Sequence, residues 1–393
     1  MTRVCVVTGG RADYGLLRPV MRRIAASDVL HLAVAATGGH LSARFGMTVR
    51  EIEADGFVVD IAVPILGDGD DDVAAAHAAA AATGGFADAW SRNRPDVVLL
   101  LGDRYEILAA ATVALLLRIP VAHIAGGEVT KAAFDDQIRH AITKMASLHF
   151  VSAQTYRRRV IQMGERPDRV FLVGALGLDN VLGLDLFDRS EVEKRLGIGR
   201  GLKYAVVTFH PVTLSPETTR VGISAVLEAL SSRSELFAVF TMPNADPDSR
   251  VVEKRIRAFE QARPGCCSVH EALGVQLYLS AVKHASVVIG NSSSGMAEAP
   301  ALGTPVVNVG DRQQGRLRPS GVIDCEPTPE AVEAAIDRGL SSEFAEEFAA
   351  GSAMLGDGHA AERIVEVLER TAPDSLELAK GFRDLPDVDT GDG

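Results

Sequence analysis

The stretch Val97-Val-Leu-Leu-Leu-Gly-Asp-Arg-Tyr-Glu106 decides the fold of this chain. Its first five residues are continuously apolar and are followed by a glycine, a pattern that predicts a short strand buried on both faces. Such strands belong to parallel sheets that helices cover on both sides. Asp103, Arg104 and Glu106 follow at once, and charge beside a core is costly unless it lies at the ligand-binding edge of the sheet. The stretch therefore predicts a parallel sheet with a site at its edge.

The same alternation of short apolar runs and helix-like stretches recurs along the chain. In the first half, further strands are predicted at residues 4–7, 32–36, 58–63, 121–124, 149–151 and 171–173. Helices are predicted between them at residues 16–26, 73–94, 106–117, 135–146 and 154–163. After a pause at residues 174–203, strands are predicted at 204–209, 237–242, 287–289 and 306–309, and helices at 216–230, 248–261 and 329–340.

The pause in the pattern predicts a boundary between two domains. We expect an α/β protein with two doubly wound Rossmann-like domains, residues 1–185 and 186–355, that face each other across a cleft. Residues 356–370 are expected to form a helix that packs back on the first domain. Residues 371–393 are rich in Pro, Gly and Asp and predict a flexible acidic tail.

Composition and charge exclude several classes of partner. The chain has 393 residues, of which 47% are hydrophobic, and its formal net charge is −12. That charge argues against a broad surface for nucleic acid or anionic membrane. Residues 67–72 and 371–393 carry −4 each, which leaves only −4 for the remainder of the chain. A nearly balanced body of this kind can still gather a few arginines around a small anion.

Other signals in the sequence point to a reduced cytoplasmic protein. The longest apolar run, residues 107–117, is about half of a bilayer span, and no export signal is recognised at the N-terminus. The four cysteines form no CxxC pair. The chain lacks the HExxH metal motif, the P-loop and the GxGxxG fingerprint.

Acidic residues collect at the predicted strand ends of the first half. Asp103 follows residues 97–101, Glu128 follows the next strand, and Asp135 and Asp136 open the helix after it. Crowded carboxylates raise one another's pKa, which suits removal of a proton from carbon. The alternative for each single acid is a helix cap or a salt bridge.

Groups suited to phosphate occur at other predicted strand ends. Arg11 follows two glycines after the first strand, and His210 ends the first strand of the second half. The run Gly290-Asn-Ser-Ser-Ser-Gly295 joins a strand to a helix, and its hydroxyl and backbone donors suit a phosphate. Glu298, one turn later, suits a ribose diol, and Arg312 and Arg316 follow the next strand.

Together these segments resemble the UDP-N-acetylglucosamine 2-epimerase family, specifically its hydrolysing branch, which forms N-acetylmannosamine or a close analogue. The similarity extends from Arg3 to about Arg370. The motifs that carry it are Arg11-Ala-Asp-Tyr-Gly, Gly102-Asp-Arg, His123-Ile-Ala-Gly-Gly-Glu, Asp135-Asp-Gln-Ile-Arg-His-Ala-Ile-Thr-Lys144, Thr208-Phe-His-Pro, Pro243-Asn-Ala-Asp246, Gly290-Asn-Ser-Ser-Ser-Gly295 and Arg312-Gln-Gln-Gly-Arg316. The resemblance implies the two-domain glycosyltransferase-B fold.

The resemblance also implies a mechanism and a set of site residues. The implied catalytic residues are Asp103, Glu128, Asp135, Asp136 and His210. The implied ligands of a UDP-linked sugar are Arg11, Arg104, Arg139, Asn244, His270, Ser292, Ser293, Ser294, Glu298, Arg312 and Arg316. One carboxylate would remove the C2 proton as UDP leaves from C1, and another would guide water onto the resulting 2-acetamidoglucal. No cofactor or metal is implied, and a homodimer or homotetramer is expected.

Two dipeptides favour the hydrolysing branch. Non-hydrolysing relatives resemble one another in a His-Arg and a Glu-Glu pair, where this chain has His210-Pro211 and Asp135-Asp136. Residues 131–134 contain two alanines where most hydrolysing relatives carry a glycine, which leaves open N-acetylglucosamine or a diacetamido-bacillosamine sugar, linked to UDP or GDP. The alternatives are a non-hydrolysing epimerase, a glycosyltransferase of the same fold, and a nucleotide-sugar-binding regulator without turnover.

Overall fold

The computed structural model describes residues 1–131, 133–348 and 355–384, which form two parallel sheets, each with an apolar cluster on both faces. The strands of the first sheet are β1 (Thr2–Thr8), β2 (Leu30–Thr37), β3 (Ile61–Val63), β4 (Val97–Leu101), β5 (Val121–Ile124), β6 (Leu148–Val151) and β7 (Val170–Leu172). The helices of this half are α1 (Arg11–Ala25), α2 (Val49–Ala54), α3 (Asp72–Arg92), α4 (Tyr105–Leu116), α5 (Asp135–Met145), α6 (Gln154–Gln162) and α7 (Leu176–Gly183).

The second half repeats this plan. Its strands are β8 (Lys203–Thr208), β9 (Leu236–Thr241), β10 (Cys267–His270), β11 (Val287–Gly290), β12 (Val306–Val309) and β13 (Val322–Cys325). Its helices are α8 (Arg189–Leu196), α9 (Pro216–Ser231), α10 (Ser249–Ala262), α11 (Gly274–His284), α12 (Glu298–Ala301), α13 (Pro329–Gly339), α14 (Ser342–Phe348) and α15 (Ala360–Arg370). No helix in the described part of the chain is long and apolar enough to cross a membrane.

The strand order creates one switch point in each sheet. The first sheet runs β3-β2-β1-β4-β5-β6-β7 and the second runs β10-β9-β8-β11-β12-β13, with all pairs parallel. The chain therefore leaves β1 and β4, and likewise β8 and β11, in opposite directions, which opens a crevice at their carboxyl ends. The two crevices face each other.

The predicted fold class, two doubly wound Rossmann-like domains facing a cleft, is confirmed. The described strands β4, β5 and β12 have the predicted limits. Strands β10 and β13 were not predicted, because edge strands of four residues with polar positions lack a continuous apolar run. The chain passes from one sheet to the other between Leu172 and Lys203, and the domain limits at residues 185 and 355 stay predictions.

The chain after the second sheet returns to the first. Ile364 and Leu368 of α15 are buried in the same cluster as Leu17 of α1. Asp179 of α7 accepts from the backbone N–H groups of Ala360 and Ala361 at 3.1 and 2.8 Å, which satisfies two free donors of the helix.

Part of the segment expected to be a flexible tail, residues 371–384, contacts the first half of the chain, although most of its side chains are exposed. Leu376 is buried in the core of the first sheet. Lys380 donates to Glu165 at 2.6 Å and to the carbonyl of Ala146 at 2.5 Å, at the end of α5. An ammonium at this helix end meets the free carbonyls there, which explains why the segment is held. Residues 385–393 of the predicted tail lie outside the described residues.

We expect Lys380→Met to lower the free energy of unfolding by about 2 kcal/mol, because it removes a partner of a buried carboxylate. Burial raises the pKa of Glu165, but hydrogen bonds from His149, Lys144 and Lys380 outweigh it and lower the pKa to about 2. The stabilisation is therefore present above the usual pKa of a glutamate and is lost as the pH falls towards 2. Denaturant titrations at neutral and acid pH measure it.

The matched control is Lys254→Met on the exposed face of α10. Equal stability of the two variants at neutral pH would contradict the proposed anchoring.

Candidate active site

A cavity of about 270 Å³ lies between the two sheets, where the carboxyl ends of β1 and β4 face those of β8 and β11. Its lining includes the predicted residues Arg11, Asp103, Arg104, Glu128, Asp135, Arg139, His210, Asn244, Ser292, Ser293, Glu298, Arg312 and Arg316. A smaller cavity of about 170 Å³ adjoins it and shares Arg11, His210, Asn244, Ser292, Ser293 and Glu298. The structure thus brings most of the predicted site together in one cleft.

The acidic end of the cleft is organised by Arg139 of α5, whose side chain is fully buried. Its guanidinium forms a close ion pair with Asp103, at the end of β4, and donates to Asp136 at 3.0 Å. It also donates to the carbonyl of Glu128 at 3.0 Å and to the hydroxyl of Thr130 at 2.7 Å. Arg139 was predicted to bind substrate, but these contacts make it the residue that holds the acids in place.

Glu128 joins the two halves of the molecule. Its carboxylate accepts from the Ser152 hydroxyl at 3.1 Å and forms an ion pair with Arg316 of the second half at 3.2 Å. The Arg316 guanidinium lies within 3.4 Å of the Thr130 hydroxyl as well. Arg316 therefore contacts the acidic end of the cleft.

Asp135 has a different environment from the other acids. Its side chain lines the cavity, and its buried Oδ2 atom has no hydrogen-bond partner among the described residues. Burial raises the pKa of Asp135, and Arg312 opposes that rise only in part. Asp136, by contrast, does not line the cavity. It accepts from Arg139 and from the backbone N–H of Thr130 at 2.9 Å, so the structure places it in the framework behind the site.

Arg104 crosses the cleft. It pairs with Glu106 on its own side at 2.6 Å and with Asp246 of the second half at 2.8 Å, and it donates to the carbonyl of Ala245 at 3.1 Å. Burial alone would raise the pKa of Asp246, but Arg104, His210 and Arg312 outweigh it and lower the pKa. Arg104 was predicted as a substrate ligand, yet much of its hydrogen-bonding capacity already joins the two halves.

Another part of the cleft is built on the carboxyl ends of β8 and β11. Asn291 fixes His210, two residues after β8, because it accepts from the His210 N–H at 2.7 Å and donates to the His210 carbonyl at 2.8 Å. Burial, with a smaller contribution from Arg312, lowers the pKa of His210 to about 3. The imidazole is thus neutral at pH 7, so the positive charge here comes from Arg11 and Arg312.

The serine turn, which consists of residues 292–294, and Glu298 complete this part of the cleft. Ser292 and Ser293 line both cavities, whereas Ser294 lines only the smaller one. Burial raises the pKa of Glu298 to about 7. Glu298 packs against Gly177 of α7, where a Cβ atom would lie 2.5 Å from its Oε1. Only a glycine at 177 leaves room for the carboxylate.

His270 is the predicted ligand that the structure leaves outside. It ends the edge strand β10, two strands from the switch point, and lines neither of the two cavities described above. Its ring lies 3.0 Å from the Ser268 hydroxyl. Among the described residues, no cluster of His, Cys, Asp and Glu could hold a metal ion.

Sequence reasoning missed three polar residues that support the site. Asp246 stood in a recognised motif, and Glu106 stood in the opening stretch, but neither was given a role. His123 also stood in a motif, and its buried ring lies next to Gly102 and Thr143. Glu106 pairs with Arg104, only two positions before it. Asp246 contacts Arg104 of the facing domain, and His123 contacts Gly102, twenty-one positions before it. Such partners are not visible in a linear pattern.

Comparison with known proteins bears on the family. The family model described as UDP-N-acetylglucosamine 2-epimerase matches residues 22–369. The chain is 39% identical over 82% of its length to the GDP/UDP-N,N'-diacetylbacillosamine 2-epimerase (hydrolyzing) of Campylobacter jejuni, of which 84% is covered. It is 34% identical to the polysialic acid biosynthesis protein P7 of Escherichia coli, with 99% of each chain covered.

The fold has a close match among solved structures. The UDP-GlcNAc 2-epimerase of Neisseria meningitidis, in a crystal structure with UDP-GlcNAc, superposes with a TM-score of 0.80 at 18% identity. The alignment covers 94% of this chain and 100% of that one. With the family model matching most of its length, the chain belongs to the UDP-N-acetylglucosamine 2-epimerase family.

Proposed function

We propose that this protein is a hydrolysing 2-epimerase, which converts a UDP-linked 2-acetamido sugar into UDP and a free sugar inverted at C2. UDP-N-acetylglucosamine, giving N-acetylmannosamine, is the first candidate substrate. The observation that carries the proposal is that acids and anion-binding groups line one cleft together. Asp103, Glu128 and Asp135 share it with Arg11, Arg312, Ser292 and Ser293.

The first step is an elimination. A carboxylate takes the proton from C2, the electron pair of that bond forms the C1–C2 double bond, and the bond from C1 to the phosphate oxygen breaks with its electrons on UDP. Asp103 and Glu128 line the cleft, and each forms an ion pair with an arginine, so they are the candidate bases. Because a C2 proton is weakly acidic, stabilisation of the departing phosphate must supply much of the rate enhancement.

The second step is a hydration. Water adds its oxygen to C1 and gives up a proton to a carboxylate, while C2 receives a proton on the face opposite to the one that lost it. Asp135 has the unpartnered oxygen and the raised pKa that suit a proton donor. The sum of the two steps is hydrolysis with inversion at C2, and no cofactor is consumed.

Groups that come mainly from the second half of the chain stabilise the departing diphosphate. Arg11 and Arg312 supply positive charge, and the neutral imidazole of His210 supplies a hydrogen bond. Ser292 and Ser293 add hydroxyl and backbone donors. Glu298, next to the serine turn, is placed to accept from the ribose hydroxyls.

A second candidate substrate is UDP-N,N'-diacetylbacillosamine, on which the Campylobacter jejuni relative acts by its name. This sugar carries a methyl group at C6 and a second acetamido group at C4. The lining of the cleft includes the apolar side chains of Leu16, Ala125 and Leu176. Such a lining favours methyl groups over a hydroxymethyl group.

The decisive experiment incubates the purified protein with UDP-N-acetylglucosamine, UDP-N,N'-diacetylbacillosamine or the GDP-linked analogue in deuterated water. We expect UDP and a free sugar with deuterium at C2 and inverted configuration there, because the proton that returns comes from solvent. Mass spectrometry and proton NMR identify the products.

Other products would decide between the remaining functions. A nucleotide-linked inverted sugar would show the non-hydrolysing reaction, and transfer of the sugar to an added acceptor would show a glycosyltransferase. Tight UDP binding without turnover of any of the three substrates would refute the enzyme and favour a regulator.

Replacing Glu128 with Gln is expected to lower kcat at least about a hundredfold, the usual contribution of a positioned acid or base. Gln can still accept from Ser152 and Arg316, so the Kd for UDP should change less than about threefold. Stopped assays give kcat, and calorimetry gives Kd. Glu53→Gln on the exposed face of α2 is the control, and full activity of both variants would contradict the assignment.

The affinity for the nucleotide sugar is expected to rise about threefold to tenfold from pH 6 to pH 8, because an ionised acceptor strengthens hydrogen bonds from the ribose. The folded-state pKa of Glu298 is raised to about 7, so the carboxylate gains its charge within this window. Calorimetry in the Glu128→Gln background avoids turnover. Adding Glu298→Gln should flatten the dependence, and an unchanged slope would assign it to another group.

A further inference from the structure

Two buried histidines lie side by side on neighbouring strands of the first sheet. His123 of β5 and His149 of β6 are register partners, and both are almost fully buried. Their rings have different contacts. The Nε2 atom of His149 lies 3.0 Å from Glu165, which Lys380 and Lys144 also contact. His123 instead contacts the loop that carries Asp103.

The His123 ring contacts two groups. Its Nε2 atom lies 2.8 Å from the carbonyl oxygen of Gly102, and its Nδ1 atom lies 3.2 Å from the hydroxyl of Thr143. A carbonyl can only accept, so Nε2 carries the proton and donates to Gly102. Nδ1 is then an acceptor, and the single hydrogen of the Thr143 hydroxyl can be donated either to Nδ1 or to the carbonyl of Arg139 at 3.0 Å. Because Thr143 belongs to α5, its contact with Nδ1 connects the imidazole to that helix.

Gly102 is the residue that turns the chain out of β4. Its φ of 82° lies in the left-handed region that glycine adopts without strain. The Gly102 N–H donates to the carbonyl of Ile124 at 3.1 Å, so β5 holds this peptide through its N–H as well as through His123. The next residue, Asp103, then reaches Arg139 at the acidic end of the cleft.

These contacts close a ring around the acids. It runs from His123 to Gly102, along the chain to Asp103, across to Arg139, along one turn of α5 to Thr143, and back to His123. The ring joins the end of β4, strand β5 and helix α5. Removing one hydrogen bond from a buried network of this kind leaves its partner unsatisfied.

We propose that His123 is a positioning residue for the reaction, which acts by holding the Gly102 carbonyl so that Asp103 stays against Arg139 and directed into the cleft. The inference rests on the proposed function, because Asp103 is assigned to the chemistry only there. His123 itself is not among the residues that line the cavity. A small displacement of a catalytic group lowers the rate while distant binding contacts persist.

The test compares four proteins on the substrate that the wild type turns over: wild type, His123→Leu, His123→Gln and His149→Leu. His149→Leu is matched in strand position, burial and size, and it removes a ring that contacts Glu165 rather than the loop that carries Asp103. We expect His123→Leu to lower kcat about tenfold to a hundredfold with KM changed less than about threefold. His123→Gln, whose amide can donate to Gly102, should recover most of that loss, and His149→Leu should keep the wild-type kcat.

Unfolding temperatures of all four proteins separate stability from positioning. If His149→Leu lowers the unfolding temperature as much as His123→Leu but keeps its kcat, the loss in His123→Leu is not a general effect of destabilisation. An unchanged kcat in His123→Leu, or no recovery in His123→Gln, would overturn the proposal.

A second measurement does not depend on turnover. Isotope-labelled histidine in the full chain, with the His123→Gln spectrum as the assignment, reports by NMR which ring nitrogen carries the proton. A neutral ring protonated at Nε2 at neutral pH supports the bond to Gly102, and a ring protonated only at Nδ1 overturns it. If the wild type turns over no nucleotide sugar, the proposed function fails, while this spectrum still decides the contact of His123.

Discussion

The arrangement of the acidic end depends on one buried cation. Taking a guanidinium out of water costs several kcal/mol, and Arg139 is fully enclosed. That cost is offset only if carboxylates and other acceptors surround the group, and Asp103, Asp136, Thr130 and the Glu128 carbonyl do so. The chain therefore has to bring the end of β4, the loop after β5 and the start of α5 together. The positions of Asp103 and Asp136 therefore follow from satisfying this single arginine.

Residues that line the cleft also connect the two halves of the molecule. Arg104 pairs with Asp246, Glu128 pairs with Arg316, and Arg11 donates to the carbonyl of Met242 at 2.6 Å. Each of these pairs joins one sheet to the other across the switch points. A ligand that replaced one of these partners would also remove a contact between the two halves. Its binding would then favour whichever relative position of the halves it contacts best.

The sequence predicted the fold well where strands are buried on both faces and poorly at the sheet edges. Val97–Leu101 and Val306–Val309 are continuous apolar runs, and their limits are those predicted. In the candidate site, most of the charged residues predicted at strand ends line one cleft, because parallel strands bring their carboxyl ends to one edge. His270 was predicted as a ligand but lines neither cavity, since nothing in a linear pattern shows that β10 lies at the edge of its sheet.

The ionisation of the carboxylates follows from their partners rather than from their residue type. Asp103 and Asp135 have the same side chain, yet one faces Arg139 and the other has a buried oxygen without a partner among the described residues. Burial then raises the pKa of Asp135, and the nearby carboxylate of Asp246 raises it further against the pull of Arg312. Neighbouring carboxylates cannot all be charged at low cost, so the unpaired one keeps its proton most readily. Asp135 therefore holds its proton more readily than an exposed aspartate does, which suits the return of a proton to C2 in the proposed reaction.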